Sequence, residues 1–465
     1  MMMRVRTKTR NQETKKLIKT EDYNKGESVN PEDLHDLKAI ADVGISNITL
    51  EDYPNLLVFP DSFDKYDTNF GKKVICSISD DGKMLYTNSI VGFVGRNNTH
   101  LSIQSRFAND DKEDFFLHYM LQKVAKINLF SLQHMMDKDS VFDFLIYLFP
   151  LYLKKAINQG IFKKYVTHKY NDANVRGVID VNRHIRYNEP FNGKVAYNTR
   201  EYDYDNEVTQ LIRHTIEFIR KHKRSDILKI DTDTNQAVAQ IVSATPSFMP
   251  NQVHLVINKN LRPIAHPYYS EYTPLQRLCL QILRHDEIKY GQKKDEIYGV
   301  LIDAAWLWEE YLAILLHSQY IHCVKNKRPK FFLFKPKNQQ IIPDFLSLDK
   351  RIVADAKYIR LNEKHWFEED SANATAIYYK TITYMYRFCS KKGYLLYPHP
   401  EDKPMTPTTT LEILSEQEGI NGGTLIKLGL IIPQGCTDFP QFVDSIRKNE
   451  DNFKMNLFNN ATVHL

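Results

Sequence analysis

Two aspartates and a lysine lie in one short stretch, Ile341–Tyr358, at a spacing that suits metal binding. The stretch is typical of two apolar strands joined by a polar turn at Ser347–Arg351, with Asp344 near the start of the first strand and Asp355 in the second. Side chains alternate along a strand, so we expect Asp355 and Lys357 on one open face and the neighbouring alanines under a helix. Two carboxylates can hold a hard divalent cation, and a lysine beside them can orient or activate a water molecule.

The order Pro343-Asp344, ten residues, then Asp355-Ala356-Lys357 resembles the PD-(D/E)xK nuclease core. This motif is short and degenerate, and a hairpin with surface charges at its rim is the alternative interpretation. The resemblance implies that Asp344, Asp355 and the backbone carbonyl of Ala356 bind Mg²⁺, and that Lys357 acts on the attacking water. All three side chains are therefore candidate catalytic residues.

A helix is predicted over Ile302–Gln319, ahead of the hairpin, because apolar residues recur there at helical spacing. Its buried stripe is expected to contain Ala305, Trp308, Leu312 and Leu315. Glu309 lies at the edge of this stripe and is the candidate for a further acidic metal ligand, whereas Glu310 is expected to point further outward. A solvated glutamate on the helix surface is the alternative for Glu309.

Two further elements are predicted after the hairpin. Ala374–Phe388 is apolar and aromatic almost all round, which predicts a buried helix, and Gly393–Pro398 is a plausible third strand. The resulting order of helix, strand, strand, helix and strand is the one that the nuclease core requires.

Composition restricts the class of protein. The 465 residues have a net charge of +5, which permits a nucleic-acid partner without requiring one. The five cysteines form no CxxC pair, so we expect reduced thiols in a cytoplasmic protein. The most apolar run is too short to span a membrane. No GxxxxGK[ST] loop is present, which argues against nucleotide hydrolysis by the chain itself.

The sequence predicts an α+β multidomain protein with four regions. Residues 1–35 are expected to form a basic, flexible arm, and residues 36–107 a β-rich domain. Residues 108–290 are expected to form a mostly helical middle domain. Residues 291–465 are expected to form a nuclease domain with a mixed sheet flanked by helices and a C-terminal extension.

Two hairpins are predicted in the β-rich region. The first turns at Asp80-Asp81-Gly82, and the second has a polar tip at residues 95–99, where Gly and Asn tolerate left-handed backbone conformations. In the middle region, Arg183, Arg186 and Arg200 alternate with aromatic residues. These arginines are candidates for gripping DNA phosphates or stacking on bases, and a solvated loop is the alternative.

The chain as a whole resembles the McrC-like nuclease subunit of McrBC-type restriction systems, including its LlaJI-like relatives. The resemblance rests on the order of IVGFVGRNNTHLSIQSRF, RGVIDVNRHIRYNEPFNGKVAYNTREYDYDNEVTQLIRHTI, WLWEEYL, IIPDF, DAKY and a late NEDNF, over most of residues 40–455. It implies a DNA endonuclease subunit that acts on double-stranded DNA. Its partner would be a hexameric McrB-like AAA+ GTPase, contacted and stimulated through the N-terminal part.

Two site assignments accompany this resemblance. We assign partner binding to the hairpin tip, with Arg96, Asn97 and Asn98. The family commonly carries a glutamine one turn before a tyrosine in the helix after DxK, but Lys380 precedes Tyr384 here. We therefore assign Lys380 to DNA phosphate. Two alternatives to the nuclease remain open: a catalytically idle activator of the GTPase, and a stand-alone repair or junction nuclease.

Overall fold

A computed structural model gives the fold of the chain. It describes residues 16–41, 43–45, 53, 55–59, 74–108, 114–125, 138–221, 226–229, 231–290, 297–323, 331–336, 338–360, 371–401, 408–413 and 422–459. These residues form two compact units. The first unit is drawn from Met1–Thr49, Leu56–Met136 and Asp295–Leu465, and the second from Leu50–Asn55 and Asp137–Lys294.

The protein is a mixed α and β structure. Its strands are β1 (Lys16–Glu21), β2 (Glu27–Ser28), β3 (Asn55–Phe59), β4 (Cys76–Ile78), β5 (Met84–Thr87), β6 (Ile90–Arg96), β7 (Thr99–Gln104), β8 (Lys164–Asp172), β9 (Val178–Ile179), β10 (Val195–Asp203), β11 (Ile297–Asp303), β12 (Tyr320–His322), β13 (Phe331–Phe334), β14 (Asn338–Ile341), β15 (Phe345–Ser347), β16 (Ile352–Ala356), β17 (Lys392–Pro400), β18 (Thr408–Glu412) and β19 (Thr424–Ile432).

The α-helices are α1 (Leu34–Ile40), α2 (Phe115–Ala125), α3 (Lys138–Ile157), α4 (Val181–Asn188), α5 (Glu207–Lys221), α6 (Thr232–Ala244), α7 (Val253–Lys259), α8 (Tyr272–Tyr290), α9 (Ala304–Leu316), α10 (Ser371–Phe388) and α11 (Phe439–Asn459). Short 3₁₀ turns lie at Ile227–Lys229 and Pro250–Gln252. Among the helices within these described ranges, none is long and apolar enough to cross a membrane.

The first unit contains a five-stranded sheet in the order β1-β7-β6-β11-β3. Strand β1 pairs in parallel with β7, although the sequence placed these residues in a flexible arm. Strand β11 pairs with β6 and joins this sheet, although the sequence placed residues 297–303 with the nuclease domain. Gly92 permits the close approach of β6 and β11, because a Cβ there would lie 2.2 Å from the Val300 carbonyl oxygen. The predicted hairpins are present as β4–β5 and β6–β7.

A second sheet of this unit has the order β12-β15-β16-β17-β19-β18. It is mixed, since β15 and β16 are antiparallel whereas β16, β17 and β19 are parallel. Helix α9 lies on one face, where the indole N–H of Trp308 donates to the Leu396 carbonyl at 3.3 Å. Helix α10 covers the other face, because Tyr384 and Met385 pack with Val353 in the core. The central strands β16 and β17 are therefore buried on both sides.

The second unit packs α3, α5, α6 and α8 around buried residues such as Leu211 and Tyr272. It also contains a three-stranded sheet, β8-β10-β9, with α4 against β10. The sequence analysis predicted a mostly helical region here, with a solvated loop as one alternative for the segment with the three arginines. The three-stranded sheet was not predicted. The sequence signal in β8, KYVTHKYND, was weak: it has β-branched and aromatic residues, which favour strands, but few apolar residues.

Candidate active site

Two carboxylates face each other at the end of β15 and β16. In this antiparallel pair Phe345 lies opposite Ala354 and Leu346 opposite Val353. Continuing the register by one position places Asp344 opposite Asp355, and directly opposed residues share one face of a sheet. The Ala356 N–H donates to Asp344 Oδ2 at 2.7 Å, which fixes that carboxylate against β16. The predicted convergence of the two aspartates is therefore present in the structure.

Asp355 is completely buried and lies between two lysines. The Lys357 ammonium group forms an ion pair with Oδ2, and the Lys380 ammonium group lies 3.4 Å from Oδ1. Burial acts to raise the pKa of Asp355, but Lys357 and then Lys380 outweigh it, so this pKa is lowered. The carboxylate is thus held in its charged form.

The pKa of Asp344 is shifted in the opposite direction, upward. Burial raises its pKa well above the ordinary value, and the neighbouring Asp355 and Glu309 carboxylates raise it further. The two lysines oppose this effect without overcoming it. Like charges placed close together favour protonation of one member, and here that member is Asp344.

The sequence analysis predicted an open face for Asp355. In the structure this face is covered. Val353 and Asp355 lie on the same side of β16, and α10 covers that side. Helix α10 is itself less buried than predicted, because Tyr379 is 68% and Tyr386 83% exposed. Only one side of the helix meets the sheet, and the tyrosine hydroxyl groups allow the other side to face water.

Lys380, which the sequence analysis assigned to DNA phosphate, lies within the carboxylate site. Helix α10 directs its ammonium group toward Asp355, and the nearby carboxylates raise its pKa against the effect of burial. One turn later, the Tyr384 hydroxyl donates to the Ile342 carbonyl at 2.9 Å, which ties α10 to the segment that precedes Asp344. The sequence analysis noted that Lys380 lies one helical turn before Tyr384, but it did not predict the contact between Lys380 and Asp355.

Glu309 is partly exposed, and its Oε1 lies 2.6 Å from His322 Nε2 on β12. It is close enough to Asp344 to raise the pKa of that carboxyl group. His322 was not singled out from the sequence, where no spacing signal connects it to Glu309. Glu310, expected to point outward, is instead 6% exposed, because that side of α9 faces the protein interior.

The donor atoms of this site suit Mg²⁺. Both carboxylate oxygens of Asp355 are buried and accept no well-aligned hydrogen bond from any described residue, although both lie near ammonium groups. Within the described ranges, no group of three or more His, Cys, Asp and Glu side chains could hold a metal ion. Mg²⁺ commonly takes only one or two protein carboxylates and keeps several waters, so Asp344 and Asp355 with the Ala356 carbonyl fit it.

The residue after Lys357 anchors the site to the N-terminal sheet of the same unit. The Tyr358 hydroxyl lies 2.6 Å from Ser105 Oγ, and its ring meets Phe107 edge-on at 5.0 Å. Next to Ser105, Arg106 forms a buried ion pair with Asp22 at the end of β1. The end of β16 and the adjacent Lys357 are therefore held by the pairing with β15 and by the contacts of Tyr358 with Ser105 and Phe107.

The three arginines assigned to DNA lie in the second unit and differ in their contacts. Arg183 donates to the carbonyl groups of Tyr170 and Tyr197, so it is a structural link between α4 and the β8–β10 pair. Arg186 is exposed. Arg200 is also exposed, stacks over Tyr165 at 5.1 Å and lines a shallow cavity of about 500 Å³.

The hairpin tip at residues 95–99 does not project freely, because two of its side chains bond to helix α1. Arg96 forms an ion pair with Asp36 of α1 at 2.7 Å, and its side chain is only 11% exposed. Asn97 donates to the same carboxylate at 2.9 Å and has a positive φ of 50°. Asn97 and Asn98 are exposed, so the outer part of the tip remains at the surface.

Comparison with known proteins gives one family. The sequence model described as "McrBC 5-methylcytosine restriction system component" matches residues 85–398, a range that includes every residue of the carboxylate site. A search of curated proteins gives no match.

Two solved structures are similar to this chain at low identity. A chain of the refined half-complex from a tetradecameric assembly of Thermococcus gammatolerans McrB AAA+ hexamers with bound McrC has 16% identity and a TM-score of 0.45. That match covers 96% of this chain and 100% of the other. A chain of the Thermococcus gammatolerans McrBC complex has 18% identity and a TM-score of 0.30, and the match covers 68% and 90%.

Proposed function

The chain belongs to the McrBC 5-methylcytosine restriction system component family, and from this premise we propose that it is the McrC-like nuclease subunit, which hydrolyses DNA phosphodiester bonds. The observation that carries the proposal is the opposed pair of Asp344 and Asp355 with Lys357 beside it. Two carboxylates that face each other repel when both are charged, which is one reason why the pKa of Asp344 is raised; a divalent cation shared between them would allow both to be charged.

Each residue then has a defined role. Asp344, Asp355 and the Ala356 carbonyl would hold Mg²⁺, with Glu309 at the edge of the site. When bound, this ion would supply Lewis-acid chemistry and a more acidic water. The Lys357 ammonium group, anchored by Asp355, positions the attacking water and offsets charge on the phosphate in the transition state. Tyr358 keeps this lysine in place through its bond to Ser105.

The order of α9, β15, β16, α10 and β17 supports a PD-(D/E)xK core. In the sequence these elements fall within the nuclease domain proposed at residues 291–465. The β-rich region at residues 36–107 would contact a hexameric AAA+ GTPase, and Asn97 and Asn98 are the tip residues best exposed for this. Arg186 and Arg200 would bind DNA phosphates through their exposed guanidinium groups.

The decisive experiment is plasmid cleavage by the full chain with Mg²⁺, GTP and the AAA+ protein of the same system, on methylated and unmethylated DNA. We expect nicking or linearisation that EDTA abolishes. Asp355→Asn should remove cleavage while GTP turnover by the partner is still stimulated. Stimulation without cleavage by wild type on any DNA tested would identify an idle activator, and cleavage that needs neither GTP nor partner would identify a stand-alone nuclease.

A further inference from the structure

Asp355 has a different lysine at each of its two oxygens. Lys357, just after the end of β16, reaches Oδ2, whereas Lys380 reaches Oδ1 from α10, at 3.4 Å. The side chain of Asp355 is 1% exposed and that of Lys380 46% exposed. The second ammonium group therefore enters from the solvent side of the site, and both oxygens of the central carboxylate already face a cation.

The position of Lys380 is fixed by the helix that carries it. The next residue, Thr381, is fully buried and donates to the Ile377 carbonyl at 3.0 Å. Tyr384 is bonded to the Ile342 carbonyl, and its ring lies 5.7 Å from the Lys380 ammonium nitrogen. A cation beside an aromatic face gains further stabilisation. Lys380 is thus directed into the site by its surroundings.

Sites with two metal ions place the ions about 3.5–4 Å apart and bridge them with a carboxylate that offers an oxygen to each. Lys380 stands at the Oδ1 atom that such a bridge would use. The charges agree with this geometry. Binding to a metal ion requires Asp344 to lose its proton, and Asp344, Asp355 and Glu309 then carry one more charge than the two lysines. One divalent cation therefore already reverses the sign of the cluster. A second divalent cation would meet net repulsion.

We propose that Lys380 takes the place of a second metal ion, so that the site binds a single divalent cation. This inference rests on the proposed metal-dependent nuclease. In cleavage the Lys380 ammonium group offsets negative charge on the phosphate, a role that a second metal ion has in other phosphodiesterases.

The test is a titration of the full chain with Mn²⁺ in the absence of DNA. Electron paramagnetic resonance measures the free ion, and the number of bound ions is the difference from the total added. Wild type is expected to bind one Mn²⁺ per chain at this site. Lys380→Gln, which keeps the length and loses the charge, is expected to bind two. The matched control is Lys391→Gln, which removes one charge at an exposed lysine and should behave as wild type. Asp344→Asn should lose the site ion, and this identifies where the counted ions bind.

Two results would overturn the inference while leaving the nuclease intact: two site-bound Mn²⁺ per chain in wild type, or one in Lys380→Gln that is folded by circular dichroism. In either case plasmid cleavage by wild type would still depend on Mg²⁺. If wild type binds no Mn²⁺ at the site and never cuts DNA, the proposed function fails together with the inference.

Discussion

Asp344 and Asp355 lie opposite each other across the β15–β16 pair, yet their pKa values move in opposite directions. Burial and two carboxylates raise the pKa of Asp344, whereas Lys357 and Lys380 overcome burial and lower the pKa of Asp355. As pH falls, protons therefore bind Asp344 before Asp355. The two residues have the same chemistry and differ in their charged neighbours: Asp355 is paired with both lysines, whereas Asp344 also lies near the Glu309 carboxylate.

This difference predicts opposite effects of two matched substitutions on the free energy of unfolding. The folded-state pKa of Asp344 is raised, so stability present at low pH is lost as pH rises through that pKa. At pH 8 in EDTA, Asp344→Asn should therefore be at least as stable as wild type. Asp355→Asn leaves two ammonium groups without their carboxylate and should cost about 3 kcal/mol. Urea unfolding followed by circular dichroism measures both, and effects of equal sign would contradict the assignment.

Cleavage should depend on Lys357 in a way that partner activation does not. Lys357→Ala removes the cation beside the water and the phosphate, and should lower the plasmid cleavage rate by roughly 10²–10³-fold. GTP turnover by the partner should be unchanged, since in the described part of the chain the Lys357 ammonium group bonds to Asp355 and to the Ala356 carbonyl, both inside the site. Lys350→Ala, at an exposed turn outside the site, is the control. Wild-type cleavage by Lys357→Ala would show that the active site lies elsewhere.

The hairpin tip can be tested without disturbing the fold. Deleting residues 95–99 would break the Arg96–Asp36 ion pair, so a point substitution is the better test. Asn98→Ala should lower stimulation of the partner GTPase and shift the unfolding curve only slightly, because this residue is exposed. Lys83→Ala, at the other hairpin with 79% of its side chain exposed, should have no effect. Full stimulation by Asn98→Ala would place the contact elsewhere.

Substitutions of Arg183 and Arg200 should have different effects: the first on stability, the second on DNA binding. Arg183→Ala should destabilise the second unit by about 2 kcal/mol, because two partly buried carbonyl groups lose a charged donor. Arg200→Ala should leave stability unchanged and weaken binding of a DNA duplex, with a shallower dependence on salt. Fluorescence anisotropy at several salt concentrations, beside thermal unfolding, distinguishes the two. Unchanged duplex binding by Arg200→Ala would remove it from the DNA surface.

Asp114 should make stability depend on pH away from the active site. It is 5% exposed, accepts the Ser105 and Leu117 N–H groups, and burial raises its pKa to about 7. The folded state therefore holds this proton more tightly than the unfolded chain, so stability is lost as pH rises from about 4 to 7. The loss should reach at most about 4 kcal/mol and be absent in Asp114→Asn. An identical pH profile for wild type and variant, measured by urea unfolding, would refute it.

Local patterns were sufficient for several elements of the fold. The turn at Asp80-Asp81-Gly82, the hairpin that follows and the order of α9, β15, β16, α10 and β17 are all predicted from alternation, helical spacing and turn residues. These features depend on neighbours within a few positions. The sheet in the second unit was missed because its strands carry few apolar residues, and the basic and aromatic residues resembled a surface loop.

What the sequence by itself determined is the pairing of Asp344 with Asp355 and Lys357, since the side-chain period of two and a short turn place them together. The tertiary structure alone decided how α10 lies on that sheet. Its packing buries Asp355, brings Lys380 to the free oxygen and separates the two pKa values. Tertiary packing also turned Glu310 inward and tied Arg96 to α1. Burial and charge contacts between residues far apart in the chain arise only when the elements pack, so no local pattern specifies them.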